Sequence, residues 1–252
     1  MKKFTVQKIT LDGLKVLILQ PKERKERKAP GILWIHGGGY AVGGAYMIYM
    51  SRARALVEKH GAVVVTPEYR LAGKEPYPAA LEDCYTALLY LKNHALELGV
   101  DSSRIMVGGE SAGGGLTAAL CLYARDKGEV NISFQMPLYP MIDDRDTESN
   151  RNNHGISWNT RRNRRAWKLY LRHLTGETPA YAAPARAENC EHLPPCYTFV
   201  GDREPFYSET ISYIQALQNA GVAAEVDVYS TGFHAFDMLL PWRKISRSSS
   251  GV

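Results

Sequence analysis

The stretch Gly109-Glu110-Ser111-Ala112-Gly113 constrains this chain more than any other five residues, because of what flanks it. Before it, Arg104-Ile105-Met106-Val107-Gly108 fits a short buried strand; after it, Gly114 through Arg125 is rich in small, helix-compatible residues. A chain that passes from strand to helix in so few residues must turn sharply. Glycines two before and two after Ser111 remove the side chains that would collide in that turn. A serine held there projects its hydroxyl beyond the end of a sheet, where it suits a nucleophile. The pentapeptide by itself fits a glycine-rich surface turn with an ordinary serine equally well, so the rest of the chain has to decide.

Taken in order, the chain alternates strand and helix signals. Phe4 to Leu11 and Leu14 to Gln20 are β-rich runs around Asp12-Gly13, which predicts an antiparallel hairpin at a sheet edge. Gly31-Ile32-Leu33-Trp34-Ile35 is a compact apolar run of the kind buried on both faces, and it leads into His36-Gly37-Gly38-Gly39-Tyr40. Three successive glycines leave backbone N–H groups open to close approach by a ligand, as donors to a developing oxyanion must be; a flexible turn is the plainer alternative. A helix is expected from Tyr46 to His60, a strand over Ala62 to Thr66, a long helix from Ala79 to about Leu98, and a loop at Asp101-Ser102-Ser103-Arg104. Strand, helix, strand in succession predicts a parallel sheet with crossover helices. Further strands are expected at Ser133 to Pro140, Tyr197 to Gly201 and Ala224 to Tyr229, with a helix over Glu209 to Gly221. Between Met141 and about Thr175 the alternation breaks into acidic, then polar, then Trp-containing helical sequence, and this is expected to be an insertion packed over the site as a partial cap.

At 252 residues one domain is expected, and 45% hydrophobic with 23% charged residues is ordinary for a soluble globular protein. No apolar run approaches the roughly 20 residues of a membrane helix, and the first residues lack the apolar stretch of a secretory signal, so a cytoplasmic location is expected. The net charge of +5 is modest, and Lys22 to Lys28 mixes both signs in what should be a solvated loop. Arg161, Arg162, Arg164 and Arg165 are more one-sided. They form either a solvated helix face or a contact for an anionic substrate or nucleic acid, and no nucleic-acid motif supports the last. Cys84, Cys121, Cys190 and Cys196 show no zinc-type spacing and read as reduced, buried thiols; Cys190 and Cys196 are near enough in sequence to pair only under oxidation.

His36-Gly37-Gly38-Gly39, Glu68-Tyr69-Arg70-Leu71-Ala72, Gly109 to Gly114 and Phe233-His234-Ala235-Phe236 fall in one order and at one approximate spacing over residues 30 to 240. In these motifs the chain resembles the hormone-sensitive-lipase-like family of esterases. The resemblance implies an α/β-hydrolase fold, with a mostly parallel central sheet and helices on both faces. It implies Ser111 as nucleophile, His234 as general base, and the N–H groups of Gly38, Gly39 and Ala112 as the oxyanion hole. His36 is expected to brace the glycine loop. A triad acid is needed after the penultimate strand, where Asp202 and Glu204 compete. The family pattern there is similar to Asp-Pro-Leu, and Glu204-Pro205-Phe206 falls on it, thirty residues before His234. Asp202 stays as the alternative, with Glu209 behind it, and whichever of Asp202 and Glu204 is not the acid is expected to be a loop carboxylate that caps the following helix or pairs with Arg203.

The chain departs from the family where extra N-terminal helices usually help to cap the site, because here the first strand begins almost at Met1. A reduced cap and an accessible pocket are therefore expected, with Tyr40, Trp158 and Trp167 as wall residues that favour short acyl chains. The short stretch after His234 raises the expectation of an incomplete last helix. Small-molecule esters are the implied partners, with no metal or organic cofactor. Amides, thioesters or acetylated sugars would use the same machinery, and a non-catalytic ligand-binding protein on this fold is the rival of another class.

Overall fold

The computed structural model describes residues 3–23 and 28–240; the mixed-charge run 24–27 and the polar tail lie outside them. Eight strands form one sheet: β1 (Phe4–Leu11), β2 (Leu14–Pro21), β3 (Ala29–Ile35), β4 (Val63–Pro67), β5 (Val100–Glu110), β6 (Phe134–Leu138), β7 (Cys196–Gly201) and β8 (Ala224–Tyr229), in the order β1-β2-β4-β3-β5-β6-β7-β8. The hairpin around Asp12-Gly13 supplies the only antiparallel pairs described, β1 with β2 and β2 with β4. Every other neighbour runs parallel, because each is reached by a crossover that carries a helix or a longer excursion.

The central strands are apolar without alternation because both of their faces are covered. In β3, Leu33 and Ile35 join one core cluster while Ile32 and Trp34 join the other, and in β4 Val63 and Val65 face opposite to Val64. Helices α2 (Ala79–Asn93), α4 (Ala112–Lys127) and α6 (Tyr207–Asn219) cover the first face through Leu88, Leu116 and Leu217. Helix α1 (Arg52–His60), through Ala53 and Val57, covers the second. Four-turn α4 is buried almost throughout, which its Ala, Gly and Leu content permits, and its buried Thr117 hydroxyl donates to the Gly113 carbonyl at 2.9 Å.

Three boundaries differ from expectation. The helix expected from Tyr46 is a 3-10 turn over Ala45–Tyr49 followed by α1, separated where the Ser51 hydroxyl donates to the Ile48 carbonyl at 3.0 Å. The long helix after Ala79 stops at Asn93, and α3 (Ala95–Leu98) follows after the break at His94. Asp101 to Arg104, expected as a loop, belong to β5, which runs back to Val100 and pairs it with Ala29 across an irregular register. Asp101 accepts the N–H and hydroxyl of Ser103, a turn-like local bond inside a strand, and this is why the residues look like a loop in sequence.

The chain leaves the sheet after Leu138 and returns at Cys196, so the excursion expected to end near Thr175 continues for about twenty residues more. Within it lies α5 (Thr160–Tyr170), begun by Asn159, whose side chain accepts the Arg162 N–H. Trp167 and Tyr170 on its buried face pack against Tyr40, the Tyr40 and Tyr170 rings stacking at 4.0 Å. All four cysteines are free and buried, Cys190 and Cys196 included.

Candidate active site

Parallel strands deliver their following loops to one edge of the sheet, and residues from five of those loops, after β3, β5, β6, β7 and β8, meet here. The register sets Ile35 beside Gly109, so the loop after β3 and the turn after β5 are neighbours. It likewise sets Gly201 beside Tyr229, which brings together the loops after β7 and β8. Ser111 occupies the turn between β5 and α4 with φ 57° and ψ −118°, a conformation that side chains rarely adopt. The turn is held by the Ser111 N–H donating to Leu138 at 3.0 Å, while the Ser111 carbonyl accepts from Gly115 and Met141. Gly113 has no alternative: a Cβ there would stand 2.1 Å from the Ile35 carbonyl oxygen and 2.6 Å from that of His36.

The Ser111 hydroxyl lies 2.9 Å from His234 Nε2, and His234 Nδ1 donates to Glu204 Oε2 in a short bond. A carboxylate only accepts, so the Nδ1 proton fixes the tautomer that leaves Nε2 free to accept from Ser111. The other Glu204 oxygen accepts the Gly201 N–H at 2.7 Å, and the carboxylate is fully buried. Asp202 is placed differently: its side chain is 37% exposed and faces Arg203 at 3.4 Å. Glu204 and not Asp202 is therefore the carboxylate that reaches His234. Glu209 is buried elsewhere, its Oε1 accepting the N–H groups of Ile142 and Asp143, and burial raises its carboxyl well above the usual range.

The glycine loop stands directly against the serine. A Cβ on Gly37 would come within 3.3 Å of Ser111 Cβ, which measures how closely the two loops approach. At Gly39, with φ 58°, a Cβ would strike the Trp158 indole at 2.5 Å. His36 braces the loop as expected: Nδ1 donates to the Gly37 carbonyl at 2.8 Å, the ring stacks on Tyr69 at 4.1 Å, and burial lowers its basicity. Of the three residues expected to form the walls, Trp158 alone lies beside the catalytic residues, half-buried between Gly39 and the Phe206 and His234 rings. Tyr40 and Trp167 lie one layer behind. Tyr40 is 1% exposed and donates its hydroxyl to Met141, and Trp167 is 4% exposed against it. Their rings fill the contact between α5 and the loop after β3, where apolar area is taken out of water.

Several residues at the site carry no motif. Tyr139 and Phe206 present ring edges to His234 at 5.0 and 4.9 Å, and with Trp158 they enclose the imidazole. Tyr139 lies just past the end of β6, and that position was the available signal. The Tyr139 hydroxyl donates to Asp237 at 2.8 Å, and Asp237 also takes Arg52 Nε at 3.0 Å. Glu110, next to the serine, points the opposite way and accepts the Trp34 indole N–H at 2.9 Å. Burial, reinforced by the charge of Asp237, pushes its carboxyl up to about 8.

A row of serine, histidine and buried carboxylate beyond the strand ends, beside a glycine loop, defines an esterase of the α/β-hydrolase class. Residues 32–238 match the alpha/beta hydrolase fold family, and the chain belongs to it, in its hormone-sensitive-lipase-like branch. Esterase LipI of Mycobacterium tuberculosis is 35% identical over 217 residues, which cover 84% of this chain and 67% of LipI. Carboxylesterase NlhH of the same organism is 32% identical over 213 residues, covering 82% of this chain and 66% of NlhH. This chain thus spans about two thirds of the length of those relatives. Among solved structures, a bacterial heroin esterase superposes with a TM-score of 0.92 at 36% identity, covering 98% of this chain and 81% of that one. No helix among the described residues is long and apolar enough to cross a membrane.

Proposed function

We propose that the chain is a cytoplasmic serine carboxylesterase that hydrolyses short-chain acyl esters through an acyl-enzyme on Ser111. The observation that carries this reading is the unbroken row from Ser111 through His234 to Glu204. His234 Nε2 takes the hydroxyl proton as Oγ attacks the ester carbonyl, and Glu204 holds the imidazole in place and stabilises its charged form. The N–H groups of Gly38, Gly39 and Ala112 receive the oxyanion, each worth roughly 3 kcal/mol in the transition state. The imidazolium then gives its proton to the departing alkoxide, which leaves as the alcohol. Water repeats the sequence on the acyl-enzyme: its proton passes to Nε2, its oxygen becomes part of the released acid, and the proton returns to Ser111 Oγ.

The preference for short acyl groups rests on Trp158, which crowds the glycine loop beside the nucleophile. The four reduced thiols suit a reducing compartment and support the cytoplasmic location. An ester panel from acetate to decanoate tests the reading. Hydrolysis should be fastest for the short chains and vanish in Ser111→Ala. It should fall on the order of 10³ to 10⁴-fold in Glu204→Gln and change by less than about threefold in Asp202→Asn. A steady rise in rate toward decanoate would refute the acyl preference, and loss of activity in Asp202→Asn with Glu204→Gln spared would refute the assignment of the acid.

A further inference from the structure

The loop that carries Glu204 is held from two sides. From one side the sheet fixes it: the Asp202 N–H donates to Tyr229 at 2.9 Å, the Arg203 N–H donates to Thr231 at 3.2 Å, and Glu204 Oε1 accepts from Gly201. A carboxylate on a flexible side chain needs more than this to serve a histidine, because a small shift of its backbone is enough to misalign the bond to Nδ1. From the other side come two bonds out of the excursion between β6 and β7. The carbonyls of Arg203 and Pro205, the residues that flank Glu204, accept from Asn153 Nδ2 at 3.1 Å and from the Ser149 hydroxyl at 2.6 Å.

Every proton in this clamp has a place. Ser149 has a single hydroxyl proton and gives it to Pro205, so its oxygen is left to accept the Ser208 N–H at 3.0 Å and the Ser208 hydroxyl at 2.8 Å. Ser208 Oγ accepts the Ser149 N–H in return, at 3.2 Å. Because Ser208 lies in the first turn of α6, this exchange fixes the helix after the acid as well as the acid's own loop. Asn153 donates both amide protons to carbonyls, that of Ser149 at 3.2 Å and that of Arg203, while its Oδ1 accepts the Gly155 N–H at 2.9 Å. The reverse orientation of the amide would set an oxygen against two carbonyls, so only this one satisfies the group. The Asn153 N–H donates to the Thr160 hydroxyl at 2.8 Å, which anchors the loop to the start of α5. Among the described residues neither Ser149 nor Asn153 bonds Ser111 or His234; what they hold is the backbone around Glu204.

We propose that Ser149 and Asn153 are positioning residues for the catalytic acid. Through them the excursion between β6 and β7 holds the Glu204 loop where its carboxylate meets His234, so the segment that carries Trp158 also sets the triad. This role deepens the ester-hydrolase reading above and rests on it. The stretch from Ser149 to Thr160 then cannot swing away as a lid without releasing the acid. Both residues act through Glu204, so their loss is felt only while the carboxylate is there to be positioned.

A double-mutant cycle on the full chain tests this. The kcat and KM for nitrophenyl butyrate, and the rate of fluorophosphonate labelling at Ser111, are measured for the wild type, Ser149→Ala, Asn153→Ala and Glu204→Gln, and for each of the first two variants combined with Glu204→Gln. With Glu204 present, Ser149→Ala and Asn153→Ala should each lower kcat and the labelling rate about tenfold. KM should stay within about twofold in Ser149→Ala, which removes no contact of Trp158 or the glycine loop. In the Glu204→Gln background the same replacements should lower the rates by less than about threefold. Arg164→Gln, which removes an exposed ion pair of the same excursion, should leave both rates within about twofold. A loss by the same factor in both backgrounds would overturn the positioning role, since a substitution that merely loosens the fold lowers every background alike. Unchanged rates with Glu204 present would overturn it too. A wild type that neither hydrolyses the ester nor takes the label would overturn the ester-hydrolase reading and this role with it, whereas an active wild type with equal losses overturns this role alone.

Discussion

Glu110 sits next to the nucleophile in sequence and faces the other cluster of the core, 2% exposed, with the Trp34 indole as its donor. Its carboxyl is raised from the ordinary 4.5 to about 8, so it is protonated in the folded protein at neutral pH and ionised in the unfolded chain. The folded form therefore binds the extra proton. The stability this contributes is complete below about pH 4.5 and is lost as pH rises through about 8. Urea midpoints measured from pH 5 to 8.5 should fall, and Glu110→Gln, which keeps an acceptor for Trp34 and has no charge to bury, should flatten that decline. An equally steep decline in the variant would place the titration elsewhere. Asp237 is the companion case. It joins the Tyr139 hydroxyl to Arg52 and lies three residues past His234, in the short helix α7 (Phe236–Leu239). Asp237→Asn removes the charge from a carboxylate that takes both the Arg52 guanidinium and the Tyr139 hydroxyl, at a cost of about 1–3 kcal/mol. Because the helix that follows the base is loosened while Trp158 and the glycine loop are untouched, kcat should fall more than KM rises in steady-state kinetics on a short ester.

At the scale of elements, the turn from β5 to α4 stores strain that its neighbours hold in place. Ser111 at φ 57° is costly for any side chain with a Cβ. Ser111→Ala should be inactive with stability near that of the wild type, whereas Ser111→Gly should be inactive and more stable by about 1 kcal/mol, since glycine adopts positive φ freely. Chemical denaturation of the three proteins reads this directly. Gly113→Ala tests the same turn from its helical side. The added methyl meets backbone oxygens of Ile35 and His36, not flexible side chains, so relief requires moving β3 or α4, and a loss of about 3 kcal/mol or more is expected. Trp158→Ala removes the ring that stands between Gly39 and His234. In the ester panel it should shift the best chain length upward.

Across the whole molecule, sheet order explains why residues as far apart in sequence as Ser111, Glu204 and His234 meet: each follows a parallel strand and leaves at the same edge. The parts of the site that are legible in sequence are those with a local signature. The glycines around Ser111 and after Ile35 report close backbone approach, and Glu204-Pro205 and His234 follow strand-like runs. Arg52 and Asp237 could not be found in this way, nor could the bond from Tyr139 to Asp237. Asp237 is 98 residues from Tyr139 and 185 from Arg52, and no local pattern marks a bond of that span. Tyr40 and Trp167 were legible as apolar residues near the site, but whether an aromatic ring lines a cleft or seals the layer behind it depends on how the cap packs. The arginines of α5 read from sequence either as a solvated face or as a contact for an anion, and the fold shows three of them exposed along a concavity with Arg151 and His154.

The central claim is that Ser111 is an activated nucleophile, and fluorophosphonate labelling followed by peptide mass analysis tests it most directly. The wild type should carry one adduct on the peptide containing Ser111, Glu204→Gln should label far more slowly, and Ser111→Ala should stay unlabelled. An unreactive wild type, or equal labelling of Ser111→Ala, would contradict it.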